Sequence, residues 1–532
     1  MSRFRPLLYE FLALSAAAAL GPWPAIAADS ERPPNILVIL ADDLGYSDLH
    51  CYGGEIETPN LDRLAAGGLR FTQFYNTARC WPTRASLLSG YYAQQVRMDP
   101  PKGRMPEWAP LLPQRLKPRG YRSYHSGKWH VSVAPLADGG FDRSYRFEDW
   151  DRYFTPAKHF EDDRPLPPVP PEAGYYATTA FADHAIRCLK EHQAGHADRP
   201  FFQFLAFTSP HFPLHALPAD IERYRDRYLD GWDTFRQRRW QRQRELGLLT
   251  CDLPPRDAQF TPRYFEPKVL DQLGPGEAGH AVAWNELNDE QRRFQATKMA
   301  LHAAMVYRMD CEIGRVVDQI CSMGALDDTL ILFLSDNGAD ATVMVRGEGH
   351  DRAAVPGSRQ SFLCIGPGWA TVSNSPFRWH KIWTHEGGIS TPLIVHWPRG
   401  IRARGELRHA VGHVIDLVPT LLEVAGAAAA ESSPASAPPL PGVSLVPALD
   451  ADLSLERELF FDHEGNRALR VGNWKLVSAR ENDAAWELYD LAADRSELNN
   501  LAPRHPDRVR EMATRWQEME TTFRRQAEDD PK

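Results

Sequence analysis

The sequence predicts an α/β fold: a large mixed, mostly parallel sheet sandwiched by helices, with a small antiparallel C-terminal subdomain. Three observations carry that reading. Short apolar runs recur at 35–40 (NILVIL), 201–207 (FFQFLAF), 330–334 (LILFL) and 392–397 (PLIVHW). They are of strand length and lack the polar alternation of a sheet with one wet face, so each reads as a strand covered on both sides. Helix-like stretches at 58–69, 180–192 and 294–320 lie between them, as in units where helices link neighbouring parallel strands. Finally, 532 residues are too many for one small domain and suit a large domain followed by a smaller one.

The division is expected at about residue 450, with 28–450 the main domain and 451–532 the C-terminal subdomain. In the latter, 467–477 and 486–491 read as short strands and 505–527 as a helix. Residues 427–441 (AAAAESSPASAPPLP) form a loop by composition. The Arg- and Pro-rich stretch 214–282 shows no clear strand and reads as an insertion wrapping the core.

The N-terminus carries a secretory pattern. Arg3 and Arg5 precede a short apolar run at 11–20, and Ala25-Ile26-Ala27 is a small-x-small cleavage site. Residues 1–27 are therefore expected to be a removable signal peptide and the mature chain to be periplasmic or secreted. The run is short for a bilayer span, and no later stretch reads as one, so stable membrane insertion is not expected. A net charge of −9 argues against nucleic acid as a partner. Seven scattered cysteines, an odd number without a CxxC pair, make neither a disulfide framework nor a zinc site.

Polar clusters follow the strands. Asp42-Asp43 follows 35–40, Ser335-Asp336-Asn337-Gly338 follows 330–334, and Ser209-Pro210-His211 follows 201–207. Gly127-Lys128-Trp129-His130 follows a further expected strand at 121–125. In such sheets ligands bind beyond the carboxyl ends of the strands. Singly, Asp-Asp is often a helix cap and Ser-Asp-Asn-Gly a turn. Together, Asp42, Asp43, Asp336 and Asn337 make an all-oxygen donor set suited to a hard divalent cation, calcium or magnesium. In Cys80-Trp81-Pro82-Thr83-Arg84, Pro82 fits the first turn of a helix. Cys80 then stands at the N-terminus, where the backbone favours negative charge.

These motifs resemble those of the type I sulfatase family, within the alkaline phosphatase superfamily. NILVILADDLGYSDLHCYGG is similar to the family's opening metal motif, CWPTRASLLSG to its first signature and SYHSGKWH to its lysine–histidine motif. SPHFP, SDNG and KIWTHEGGISTP follow in family order, and RALRVGNWKLV with WELYDLAADRSELNNLA is similar to its small C-terminal domain. GPGWATVSNSPFRWHKIWTHEGGISTP and FDHEGNRALR are arylsulfatase-like. The resemblance implies hydrolysis of sulfate monoesters, with a sulfated small molecule or glycan as substrate. It implies that a separate maturation enzyme oxidises Cys80 to formylglycine, beside one metal ion per chain held by Asp42, Asp43, Asp336, Asn337 and residue 80. By the same resemblance Arg84 holds the formylglycine hydroxyls, and Lys128 and Lys381 contact sulfate oxygens. His130 serves the hydroxyl that is not sulfated, and His211 faces the leaving oxygen as the candidate acid. Trp81 and His50 depart from the residues common at their positions. His463, Glu464 and Asn466 precede or begin a C-terminal strand and are candidates for lining the pocket. A phosphodiesterase or phosphonate monoester hydrolase of the same superfamily is the nearest rival, and a non-catalytic sulfated-glycan-binding protein is one of a different class. A two-zinc phosphatase lacks the further His and Asp ligands it needs.

Overall fold

The first apolar run forms strand β1 (Asn35–Asp42), and in the computed structural model its alternate residues serve two different cores. Leu37 and Ile39 join Met299, Met305 and Ile313 of the Asp289–Ser322 helix. Ile36, Val38 and Leu40 join Leu87 and Leu88 of the Cys80–Ser89 helix and Val418 and Leu421 of the Leu417–Val424 helix. All of these side chains are 0% exposed, a burial worth roughly 1.5–3 kcal/mol for each large aliphatic residue. Two apolar faces explain why the run shows no alternation. The structure describes residues 32–100, 102–258, 260–427, 434–454 and 457–528, so the signal segment expected at 1–27 lies outside the described residues.

The main sheet continues with β2 (Leu69–Tyr75), β3 (Arg122–Lys128), β4 (Arg143–Phe147), β5 (His159–Glu161), β6 (Arg164–Pro165), β7 (Phe201–Pro210), β8 (Thr329–Ser335), β9 (Ser390–His396), β10 (Glu406–Arg408) and β11 (Gly412–His413). Its order is β10-β2-β9-β8-β1-β7-β3-β4-β5-β6, with β11 also on β2. Strands β8, β1, β7, β3 and β4 are parallel neighbours. Ala41 lies opposite Ser335, Asp42 opposite Pro210 and Gly127 opposite Ala206. The carboxyl ends of β8, β1, β7 and β3 therefore reach one rim, where the sequence placed its polar clusters.

Strands β12 (Glu458–His463), β13 (Asn466–Val471), β14 (Trp474–Ser478) and β15 (Trp486–Asp490) form an antiparallel sheet in that order. The Pro506–Glu528 helix covers one face, with Trp516 stacked on Phe460 at 5.4 Å. On the other, Leu459, Phe461, Ala468 and Val477 pack against Tyr75, Ala78 and Ile389.

One expectation needs correction, and two features were left unspecified by the sequence. The helix expected at 58–69 is Pro59–Ala66, and β2 begins at Leu69; a register shift between Phe71 and Phe74 breaks the strand's period of two and hides it in the sequence. Strand β9 runs antiparallel to both β8 and β2, because an apolar run carries no sign of direction. The stretch 214–282 contains a helix, Gly231–Glu245, which buries Trp232 and Phe235. Its arginines masked it: Arg239, 1% exposed, is a core residue that forks onto Glu55 at 2.8 Å and reaches Asp48 at 2.7 Å. No described helix is long and apolar enough to cross a membrane, and no cysteine is paired.

Candidate active site

Two strand ends are stitched together at the rim. The chain leaves β1 through Asp43, whose φ of +66° turns the backbone sharply. The Asp43 N–H donates to Asp336 Oδ1 at 3.3 Å and the Leu44 N–H to Ser335 Oγ at 3.1 Å. Asn337 Nδ2 donates to Asp43 Oδ1 at 2.6 Å. After these bonds, Asp42 Oδ1, Asp43 Oδ2 and Asn337 Oδ1 remain buried without a hydrogen-bond donor among the described residues. Desolvated oxygens left unpaired are costly, and three of them on two adjoining strand ends have the donor chemistry of a hard-cation site. The ligating atoms of Asp42, Cys80 and Asp336 lie within 4.8 Å of one another, as do those of Asp42, Asp43 and His211.

The carboxylates feel one another. Burial, reinforced by Asp42, Asp340 and Asp336 and opposed by Lys381, pushes Asp43 well above the usual carboxylate range. Burial and the charge of Asp42, opposed by Arg84, push Asp336 to about 7. For Asp42, burial is outweighed by Lys128, Arg84 and Lys381, which hold it below its ordinary value. The cluster therefore resists full ionisation until a further positive charge arrives.

Cys80 opens the Cys80–Ser89 helix and is 3% exposed. Burial disfavours its thiolate, but Lys128 and Lys381 prevail and lower its pKa. Lys128 pairs with Asp42 Oδ2. Lys381 pairs with Asp43 at 2.7 Å and Asp340 at 3.1 Å, and these acids outweigh burial to raise its pKa. Arg84 Nε and a terminal nitrogen hold Asp336 Oδ2 at 3.0 and 2.8 Å, and its other terminal nitrogen holds the Lys128 carbonyl at 2.8 Å. Its principal partners are thus the Asp336 carboxylate and the backbone of Lys128.

The two histidines are held neutral. Burial, Lys381 and Lys128 keep His211 well below its ordinary pKa. Its Nδ1 faces the Phe212 carbonyl, which assigns the proton to that nitrogen and leaves Nε2 3.7 Å from Asp43 Oδ2. His130 is lowered likewise by burial, Lys128 and Lys102. Its ring lies 4.7 Å from that of Trp150, and its Nδ1 has no hydrogen-bond partner among the described residues. Cys80, Lys128, His130, His211 and Lys381 all face a cavity of about 580 Å³.

The family described as Sulfatase matches residues 34–427, most of the chain and every residue of this rim. The chain belongs to the type I sulfatase family. A second match, to the family described as N-sulphoglucosamine sulphohydrolase, C-terminal, covers 377–523 and with it the four-stranded sheet. As a sulfatase the chain is a sulfuric-ester hydrolase. It is 32% identical to an uncharacterized sulfatase of Schizosaccharomyces pombe over 92% of this chain and 93% of that one. It is also 32% identical to the arylsulfatase of Klebsiella aerogenes, over 76% of this chain and 88% of that one. Its fold is similar to that of Ps i-CgsB solved in complex with k-i-k-neocarrahexaose, at a TM-score of 0.67 and 22% identity over 93% of this chain and 94% of that one.

Asp42, Asp43, Cys80, Arg84, Lys128, His130, His211, Asp336, Asn337 and Lys381 gather at this rim, and the stretches 214–282 and 342–379 both contribute to the cavity wall, through Tyr264 and Lys268 and through Met344 and Arg346. His463, Glu464 and Asn466 do not line the sulfatase's cavity. His463 stands behind Trp81, 5.5 Å between rings, and Asn466 Nδ2 reaches the Ile382 carbonyl at 3.3 Å. Glu464 is bound by Arg263 and Tyr264, both at 2.9 Å. Sequence reasoning missed Asp340, which grips Lys381; its position just past Ser-Asp-Asn-Gly was the available signal. It also missed two aromatic walls, Trp150, which lies in no motif, and Phe212, which lies within SPHFP beside His211.

Proposed function

We propose that this sulfatase hydrolyses sulfate monoesters, aryl sulfates or sulfated carbohydrates, through a formylglycine made from Cys80 by a separate maturation enzyme. We propose further that it holds one calcium or magnesium ion on Asp42, Asp43, Asp336, Asn337 and residue 80, and that it acts in the periplasm or outside the cell. The observation that carries the reading is the set of three unpaired buried oxygens on Asp42, Asp43 and Asn337, with Cys80 close to Asp42 and Asp336 and in the positive field of Lys128 and Lys381. When present, the hydrated formylglycine would supply an oxygen nucleophile with a second hydroxyl for releasing sulfate, and the cation would supply positive charge for the ester oxygens.

The chain's own residues do the rest. Lys128 and Lys381 neutralise the sulfate and, in a site closed to water, stabilise the charge that develops at its oxygens. Neutral His130, with Nδ1 free, is an acceptor for the proton of the hydroxyl that is not sulfated. Neutral His211 becomes an acid only after the anionic ester has offset the positive field of Lys381 and Lys128, which ties protonation of the leaving oxygen to substrate binding. The test is peptide mass spectrometry on protein made with and without a maturation enzyme. Activity toward an aryl sulfate should rise in proportion to a loss of about 18 Da at Cys80, the difference between CH₂SH and CHO. Full turnover by protein whose Cys80 is an intact thiol would overturn the proposal.

A further inference from the structure

Arg79 immediately precedes Cys80, in extended backbone with φ −151° and ψ 150°, and lines the same cavity. Its guanidinium lies over the Trp81 ring, 5.0 Å from the centroid. Its Nε is buried with no hydrogen-bond partner among the described residues. The nearby acids are committed elsewhere. Asp340 is held by Lys381 at 3.1 Å and by the Thr342 N–H at 2.8 Å. Glu464 is held by Arg263 and by the Tyr264 hydroxyl, both at 2.9 Å. Neither acid makes an ion pair with Arg79 among the described residues, and an arginine stays charged regardless. A charged guanidinium with unused donors is costly in a partly buried position unless something arrives to accept from it. An aromatic ring beneath the guanidinium leaves its in-plane N–H groups free, and their fork matches the oxygens of a carboxylate or a sulfate.

We infer that Arg79 and Trp81 form a second anion subsite beside the reacting sulfate, and that the preferred substrates carry a further acidic group, a carboxylate or a second sulfate, near the scissile ester. This rests on the sulfatase reading and narrows its substrate class to dianionic esters. Lys128 and Lys381 are already engaged by Asp42 and by Asp43 with Asp340. Arg79 is the cavity cation that enters the complex with its guanidinium unpaired, so a second anion satisfies it without breaking an ion pair.

The experiment uses matured enzyme, wild type, Arg79→Gln and Arg79→Lys. Phenyl sulfates bearing a carboxylate at the ortho, meta or para position are compared with the corresponding neutral carboxamides, and a hexosamine 6-sulfate with its N,6-disulfated form. Taking wild-type to variant ratios for each substrate cancels differences in leaving-group reactivity. In Arg79→Gln the loss in kcat/KM should be on the order of 10–100-fold greater for at least one dianionic substrate than for its monoanionic counterpart, the range of a charge-assisted hydrogen bond. It should be expressed mainly in KM, with partial recovery in Arg79→Lys. The carboxylate and disulfate arms tell which acidic group the subsite takes. Equal losses on paired substrates would show that Arg79 serves the reacting sulfate or the fold and would overturn the inference, as would no loss on either. Turnover of phenyl sulfate by the wild type keeps the sulfatase reading intact in both cases. Its absence after Cys80 conversion would sink that reading and the subsite with it.

Discussion

Removing the cation should leave a pH-dependent defect that can be worked out from Asp336. In the folded, metal-free protein its carboxyl titrates at about 7, against 3.8 for an ordinary aspartate. Folded-state pKa is raised, so between these values the native state binds the extra proton, and stability falls as pH climbs from about 4 to 7. At 1.36 kcal/mol per pH unit the ionised group costs the native state roughly 4 kcal/mol above pH 7. A bound calcium ion removes that cost by pairing with the carboxylate, but below pH 7 it must first displace the proton. Its stabilising effect should therefore grow with pH, by up to ~4 kcal/mol between pH 4 and pH 8. For a chain of this length that is a shift of about 4 °C in Tm. Asp99 and Asp462, raised by burial to about 8 and about 7, add the same slope with or without calcium and cancel in the difference. The assay is thermal denaturation in calcium and in chelator at pH 5, 6, 7 and 8, on wild type and Asp336→Asn. The wild-type gain should widen with pH, and the Asn variant should lose the share that belongs to Asp336 while the share of Asp43, raised likewise by burial, remains. A calcium gain that is the same at pH 5 and pH 8, or one that Asp336→Asn leaves intact, would refute the reasoning.

Three more expectations follow from the same geometry. His211→Ala should slow sulfates of poor alcohol leaving groups by on the order of 100-fold while slowing nitrophenyl sulfate far less, because only the former need a proton on departure; steady-state kinetics on both would expose a purely binding role as an equal loss. Cys80→Ser should fold with an unchanged denaturation midpoint and stay inactive after co-expression with an enzyme that oxidises thiols, as intact-mass and turnover measurements would show. Glu386, fully buried, accepts from Tyr75 and Ser390 at 2.9 Å and pairs with Lys475 at 2.9 Å and Arg495 at 3.1 Å. Glu386→Ala should cost about 3–5 kcal/mol by stranding the buried Arg495 and leaving Lys475 with Glu497 alone, seen as a lowered urea midpoint. Burial disfavours its carboxylate, but Lys475 and Arg495 lower it from 4.5 to about 2, so its contribution is complete above pH 4.5 and should disappear as pH falls through 2.

The sequence by itself determined the layers of the fold and the membership of the site. A strand buried on both faces has to be written as an unbroken apolar run, and NILVIL, FFQFLAF and LILFL are such runs; each feeds its polar residues onto the carboxyl rim because the strands are parallel. That was enough to bring Asp42, Asp43, His211, Asp336 and Asn337 together on paper, and the Cys80 and Lys128 motifs added the proposed nucleophile and a cation. What the sequence left open is a matter of partners. The direction of β9, the Gly231–Glu245 helix with its buried Arg239, the turn of Arg84 toward Asp336 and the grip of Asp340 on Lys381 are set by groups far away along the chain. Asp43 and Asp336, whose bond closes the rim, are separated by 293 positions. Whether a charged or polar atom is satisfied is a property of three-dimensional packing, since burial is what makes an unmet hydrogen bond costly. Only the tertiary structure could therefore decide that three oxygens of the rim lack donors and that the guanidinium of Arg79 lacks an acceptor among the described residues.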